Sequence, residues 1–352
     1  MKRYLLALGM SLCVGHPASA GNNVSTIEQL GQGSAAEVTQ STGFNVSDIA
    51  QAGTADRASV VQQSGADISA ITQTGTANRA ELLQNGIGDL ESTIVQNGSN
   101  QLASVRQGAV DGINSSSIEQ AGEGNEATVV QFGFIDFTGS SIQQTGSGNT
   151  ANVFQGTGSS SILQDGTDQS ADVSQGGILS SASSVIVQLG AGNTAHVDQG
   201  GQESSGSSEI DENGTSNHVD VLQDGGFNTS FVAIAGTGND TKIVQGGGSG
   251  DSHSTINEAG DGNAVLVEQL TGAGIFGDIS PSNASVIDLN GSSNQVIVAQ
   301  NLNTANLGVN DSDVHVDGNS NLISVEQDVS GPALTSVIHT AGNGNTVTVM
   351  QH

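Results

Sequence analysis

The sequence predicts an all-β chain. The expected architecture is a parallel β-solenoid of stacked strand–turn–strand units (β-arches), layered in a cross-β, amyloid-like way. Three observations carry the prediction. A unit of constant pattern recurs fourteen times between Ser25 and Gln351, with most starts 20–24 residues apart, and a fixed period of that size marks a solenoid or array. Within each unit, apolar and polar residues alternate with period two on both sides of a Gly-x-x-Asn spacer, as two half-buried strands joined by a turn require. The composition also denies the chain a large globular core: Gly supplies 50 of 352 residues, aromatics make up 3%, and Trp is absent.

Residues 1–20 read as a secretory signal peptide. Lys2-Arg3 is its basic region, Tyr4 to Val14 its apolar stretch, and Ala18-Ser19-Ala20 places the cut between Ala20 and Gly21. The apolar run is too short to span a bilayer, and the bulky Leu12 before Cys13 argues against lipoprotein processing. This segment holds the only Cys and two of the six Lys/Arg, so the remainder has no thiol and sets four cations against 35 acids, a net charge of −31. A secreted chain without disulfides needs another source of stability. Repetition supplies one, because each unit is held by its neighbours.

We number each unit from its first Ser as position 0. The units start at Ser25, Ser47, Ser69, Ser92, Ser116, Ser140, Ser160, Ser184, Ser208, Ser230, Ser254, Ser285, Ser312 and Ser336. The clearest copy is Ser116 to Gln131, with Ile118 at +2, Gln120 at +4, Gly122 at +6, Asn125 at +9, Ala127 at +11, Val129 at +13 and Gln131 at +15. Position +2 is Ile or Val throughout, and +13 is Val except at Leu82 and Ile243. Position +15 is always Gln: Gln40, Gln62, Gln84, Gln107, Gln131, Gln155, Gln175, Gln199, Gln223, Gln245, Gln269, Gln300, Gln327 and Gln351. Position +6 is always Gly: Gly31, Gly53, Gly75, Gly98, Gly122, Gly146, Gly166, Gly190, Gly214, Gly236, Gly260, Gly291, Gly318 and Gly342. These glycines are expected to open the turn by taking positive φ at no steric cost, with the Asn at +9 tolerating the left-handed region.

Folding each unit at the spacer faces 0 with +15, +2 with +13, and +4 with +11. Ile then meets Val in a thin core, and Ser meets Gln. Stacking the units about 4.8 Å apart puts identical side chains above one another. A lone buried Gln is costly, but a column of Gln passes amide hydrogen bonds from layer to layer. The +4 position supports the pairing. It is Gln in the first eight units (Gln29, Gln51, Gln73, Gln96, Gln120, Gln144, Gln164 and Gln188), always opposite Ala at +11. From the ninth unit both change together: Glu212 with Val219, Ile234 with Thr241, Glu258 with Val265, Leu289 with Val296. Close packing demands such volume balance. The chain thus divides into a Gln-ladder half, 21–199 with repeats 1–8, and a more aliphatic half, 200–352 with repeats 9–14, in one solenoid.

These residues resemble the curlin repeat of bacterial curli fibre subunits. The pattern Gln-x-Gly-x-x-Asn-x-Ala-x-x-x-Gln stands at Gln73 to Gln84 and recurs at Gln120 to Gln131, Gln144 to Gln155 and Gln188 to Gln199. The resemblance implies an extracellular cross-β subunit, a functional amyloid of the biofilm matrix. It departs from the family in having fourteen units instead of a handful. The place six before the first Gln varies (Asn23, Asn45, Asp67, Asn114, Thr138), and a Ser four before it is similar to the minor, nucleating subunit. Only Gly21 to Val24 stand between the expected cut and the first unit, without the Gly-rich segment that addresses major subunits to their export channel.

Most acids fall on the outward positions, +3 in the first strand and +12 and +14 in the second: Glu28, Glu119 and Asp288 at +3, Glu37, Glu81, Asp172 and Asp220 at +12, Asp198 and Glu326 at +14. Their expected role is solubilising, and their sign excludes a nucleic-acid surface. Glu212 and Glu258 at +4 point inward, where burial favours the protonated form and hence tighter assembly at low pH. The arcs between units carry Pro281, Pro332, Ile275-Phe276 and the cluster Phe132, Phe134 and Phe137, which is expected to cover the end of the core. His315 and His339 share +3 in adjacent units and are expected to stack on the outer face as solvated side chains. No catalytic constellation, metal site, cofactor site or small-molecule substrate is expected. No capping element is visible before Ser25 or after Gln351, so the expected partner is a second copy joined end to end, with other curli-like subunits and outer-membrane export machinery besides. The sequence therefore reads as a structural protein exported by the general secretory route to an extracellular fibre for adhesion, aggregation and biofilm. The alternative is a monomeric or surface-tethered acidic β-solenoid adhesin.

Overall fold

The computed structural model describes residues 22–352 except 64, 110–111, 134–136, 177–180, 202–204, 248–249, 272–281, 303–308 and 330–332. The signal peptide with its Ala20–Gly21 cut, Phe134, Ile275, Phe276, Pro281 and Pro332 lie outside the described residues. Among the described residues every regular element is a strand, and the strands form two parallel sheets of fourteen. Each repeat gives its first strand to sheet one and its second to sheet two, as Ile113–Glu123 and Glu126–Gly133 do in the fifth repeat. Successive repeats lie one on the next as rungs. The molecule is a parallel β-solenoid.

Register follows the sequence pattern position by position. Ser116 pairs with Ser140, Ile118 with Ile142 and Gln120 with Gln144 in sheet one; Ala127 pairs with Ala151, Val129 with Val153 and Gln131 with Gln155 in sheet two. A slip of one residue would turn every Ile outward and every surface acid inward, which fixes the register. The longest step, from Ser254 to Ser285, keeps it. The core lies between the sheets. Ile49, Ile94, Ile118, Ile186 and Ile210 of sheet one and Val60, Val129, Val173 and Val197 of sheet two are fully buried. Burial of each such side chain contributes about 1.5–3 kcal/mol, so the thin core gains by length instead of by thickness.

Three features differ from the sequence reading. The core is one column wider in sheet one, because position −2 also faces inward: Asn45, Asp67, Leu90, Asn114, Asn228 and Asn283 are buried. This column mixes residue types, so it carries no apolar periodicity. Second, the left-handed residue common to the turns is +8, not the Asn at +9. It is Gly33, Gly124 or Gly148 in some rungs, but Ala55, Ala77, Asn100, Asp168 and Ser216 hold the same conformation, with φ of 53–60°. Third, Phe132 and Phe137 do not close the core. Phe132 and Phe137 are exposed, and Phe132 turns to the outer face of sheet two, its ring centroid 6.4 Å from that of Phe154.

Candidate functional site

The chemically organised feature of the molecule is its set of side-chain ladders. In the +15 column each Gln Nε2 donates to the Oε1 of the next rung, from Gln40 to Gln62 at 2.8 Å, through Gln131 to Gln155 at 3.1 Å, to Gln327 to Gln351 at 2.9 Å. The second amide hydrogen crosses the arch to the −1 carbonyl of the same rung, as from Gln131 to Ser115 O at 3.1 Å. Each Gln therefore ties its rung to the next and its two strands to each other. The +4 column behaves alike from Gln29 to Gln188. Its second hydrogen goes to the +10 carbonyl of the preceding rung, as from Gln188 to Ser170 O at 3.0 Å. In both columns every Gln-to-Gln bond points the same way along the stack. The columns thus have a head and a tail, and each rung presents to the next the groups that it receives from the one before.

The Ser at 0 is buried opposite the +15 Gln, and some copies bond to it, as Ser92 Oγ does to Gln107 Oε1 at 2.5 Å. Ser47, Ser69, Ser254 and Ser285 have no partner for their hydroxyls. The column therefore requires a small side chain across from a long Gln more than it requires a hydroxyl.

A third ladder was assigned to turn chemistry in the sequence reading. The Asn at +9 is buried; Asn125 Oδ1 accepts the backbone N–H of Asn149, and its Nδ2 donates to the carbonyl of Gly146 in the next rung. That carbonyl also explains the invariant Gly at +6. A Cβ on Gly122 would stand 1.9 Å from Gly146 O, and one on Gly75 would stand 1.9 Å from Gly98 O. Glycine is needed there because adjacent rungs touch backbone to backbone, in addition to the positive φ of the turn. The signal in the sequence was Asn in ten of fourteen units at +9.

Residues 214–247 match the family model of the curlin associated repeat. That segment carries the curlin repeat. The matched segment covers the second strand of rung nine and both strands of rung ten, including Gln223 and Gln245 of the +15 ladder and Asn217 and Asn239 of the +9 ladder. The same columns run through the rungs on either side. A comparison with curated proteins gives no match.

The +4 ladder ends at rung nine. Glu212 is fully buried and accepts the amide of Gln188 at 2.7 Å, while its Oε1 has no partner. Burial pushes its carboxyl up to about 8, and the Gln188 amide offsets part of that rise. Glu258 accepts the Thr241 hydroxyl and, again through burial, rises to about 7. Asp67 at −2 is a third buried acid, which burial and the neighbouring Asp89 raise to about 7. It occupies an Asn column, so only recognition of that column would have exposed it.

On the outer faces, His315 and His339 stack with ring centroids 5.7 Å apart, and His315 Nε2 lies 3.2 Å from Asp317 Oδ2. Among the described residues no group of three or more His, Cys, Asp or Glu side chains converges on a metal position.

Proposed function

We propose that this curlin-repeat chain is a secreted, curli-like fibre subunit whose copies join by continuing the stack. The observation that supports this most directly is the uniformity of its junctions. Each rung meets the next in parallel and in register, and the +15 Gln passes its hydrogen bond in one direction through the whole column. A rung already serves as the template for another rung. A junction between two copies then needs no contact that is not made many times within one copy, and the shared donor direction makes it head-to-tail. Such a fibre would serve adhesion, aggregation and the biofilm matrix outside the cell. The signal peptide expected at residues 1–20 supports export by the general secretory route. The small Ser at position 0 favours a nucleating role over that of the bulk subunit.

The experiment is assembly of the purified chain diluted from denaturant, with and without sonicated fragments of preformed fibres. Fibres that resist SDS, and a lag phase that the fragments abolish, are expected. Monodisperse rods about 67 Å long, fourteen layers at the strand spacing, that neither lengthen nor respond to seeds would overturn the fibre reading and favour the adhesin.

A further inference from the structure

On the outer face of sheet one, the +3 column reaches rungs thirteen and fourteen as a pair of imidazoles. Asp288, His315 and His339 are register partners in turn on Ser282–Asn290, Val309–Asp317 and Leu334–Ala341. His339 is exposed and His315 half-buried. Their rings do not lie flat on each other: they are tilted by 59°, with centroids 5.7 Å apart. Two imidazoles on one tetrahedral ion, each with a metal–nitrogen distance of about 2.1 Å, have centroids about 5 Å apart. A small rotation of one ring therefore brings both to a single ion. His315 is also held as a metal-binding His is held. Its Nε2 lies 3.2 Å from Asp317 Oδ2; a carboxylate there accepts the Nε2–H, which leaves the Nδ1 lone pair for a metal.

One copy does not complete a site around this pair. Among the described residues no third His, Cys, Asp or Glu joins it on a metal position. The carboxylates beside it in the +3 and +5 columns are already engaged: Asp288 by Asn257 Nδ2 at 2.7 Å, and Asp317 by Asn290 Nδ2 at 3.1 Å as well as by His315. Continuing the stack supplies the missing donor. When rung one of a second copy follows rung fourteen, Ile27 follows Ile338, Gly31 follows Gly342 and Gln40 follows Gln351, and the same register sets the second copy's Glu28 on His339. The two rungs also match in charge. Residues 333–352 hold two His and no acid, residues 22–41 hold two Glu and no cation, and no like charges meet in any column.

We propose that each junction between copies builds a site for Zn²⁺ or a similar divalent transition-metal ion, with His315 and His339 from one copy and Glu28 from the next. The site depends on the end-to-end growth proposed above and identifies what that junction binds. Two imidazoles and a carboxylate form a donor set that suits Zn²⁺, with water in the fourth place, and imidazole selects such ions over Ca²⁺ and Mg²⁺. The ion adds a bond across a junction that otherwise repeats the interior ones, and it brings positive charge to a strongly acidic chain. Glu28 and His339 stand thirteen layers apart within one copy, about 62 Å at the strand spacing, so they meet only where two copies do.

The test is Zn²⁺ binding by the full chain, as freshly diluted monomer and as fibre, using equilibrium dialysis with metal analysis. Millimolar Ca²⁺ is present to occupy the outward carboxylates. The fibres are grown in a chelator and washed, so that assembly is scored without metal. Fibres are expected to hold about one tight Zn²⁺ per chain, where the monomer offers only the two imidazoles. Losing even an outer-shell partner of a metal weakens binding about tenfold or more, so the fibres should exceed the monomer by at least that factor. Glu28→Gln should bring the fibres down to the monomer's affinity and leave the monomer's own binding as it was. His339→Gln should remove the tight site as well. Both side chains are exposed, so all three proteins should form fibres of the same β content. Wild-type fibres that bind no more tightly than monomer, or Glu28→Gln fibres that keep the tight site, would overturn the junction site and leave end-to-end growth standing. A chain that forms no fibres, with or without Zn²⁺, would overturn both.

Discussion

Replacing Glu212 by Gln extends the +4 ladder by one rung, and its consequence can be worked from the geometry. In the rungs before it, each Gln gives one amide hydrogen to the next rung and one to the +10 carbonyl of the rung before, as Gln188 does to Glu212 and to Ser170 O. At position 212 the corresponding carbonyl belongs to Thr194, and the atom in place of the amide nitrogen is Oε1, which has no partner. An ionised carboxylate sets lone pair against lone pair there. A protonated carboxyl, or an amide, offers a hydrogen. Burial holds the folded carboxyl near 8 against 4.5 for the free group. Because the folded value is the higher one, the contribution of Glu212 is complete below about 4.5 and is lost as the pH rises towards about 8. Linkage sets the upper bound of that loss on the order of 5 kcal/mol. Leaving one buried polar atom unpartnered costs about 1–3 kcal/mol. The expected gain of Glu212→Gln at pH 8 therefore lies between about 2 and 5 kcal/mol, with little gain at pH 4. Surface repulsion also changes with pH, but both proteins share it, so their difference isolates position 212. Urea unfolding at the two pH values measures the effect. Hydrogen exchange of peptides spanning 184–236 localises it, because a repeat array need not unfold in one step. Equal pH dependence in the two proteins, or a variant less stable at pH 8, would refute the reasoning.

Other substitutions probe the remaining ladders. Gly122→Ala puts a Cβ 1.9 Å from Gly146 O and should part rungs five and six, whereas Gly124→Ala meets nothing within 4 Å and should cost only ~1 kcal/mol for its left-handed φ; similar melting of the two variants would contradict the backbone-contact account. Ala77→Gly relieves a left-handed alanine and should stabilise by up to ~1 kcal/mol in thermal or urea melts. Gln131→Leu strands the Gln107 amide and the Gln155 carbonyl oxygen and should cost about 2–6 kcal/mol, against less than about 0.5 kcal/mol for the outward Val130→Thr. Growth rates of fibres seeded at pH 5 and pH 8 should favour pH 5, since Glu212, Glu258 and Asp67 are all raised by burial.

Most of the fold was legible because the molecule repeats itself. Period-two alternation located the strands, and the joint change at +4 and +11, from Gln120 with Ala127 to Leu289 with Val296, paired the faces before any coordinates. What was hidden follows from the same logic. Position −2 is inward but polar and mixed, from Asn45 to Leu90 to Asn114, so no hydrophobic period announces it. The Asn at +9 carries two plausible chemistries, turn and ladder, and only the position of Gly146 O beside Asn125 Nδ2 separates them. Phe132 follows the last inward residue of its unit, and its rank in the sequence does not show that it leaves the core for Arg106 and Phe154.

The central claim is that a second copy continues the stack as another rung would. Cryo-electron microscopy of single filaments tests it at the junction. The account predicts unbroken layers about 4.8 Å apart along the whole filament, with the Gln351 side chain of one copy bonded to Gln40 of the next as Gln327 is to Gln351. Filaments with a gap or a change of layer spacing every ~67 Å, or with copies meeting head to head, would contradict it.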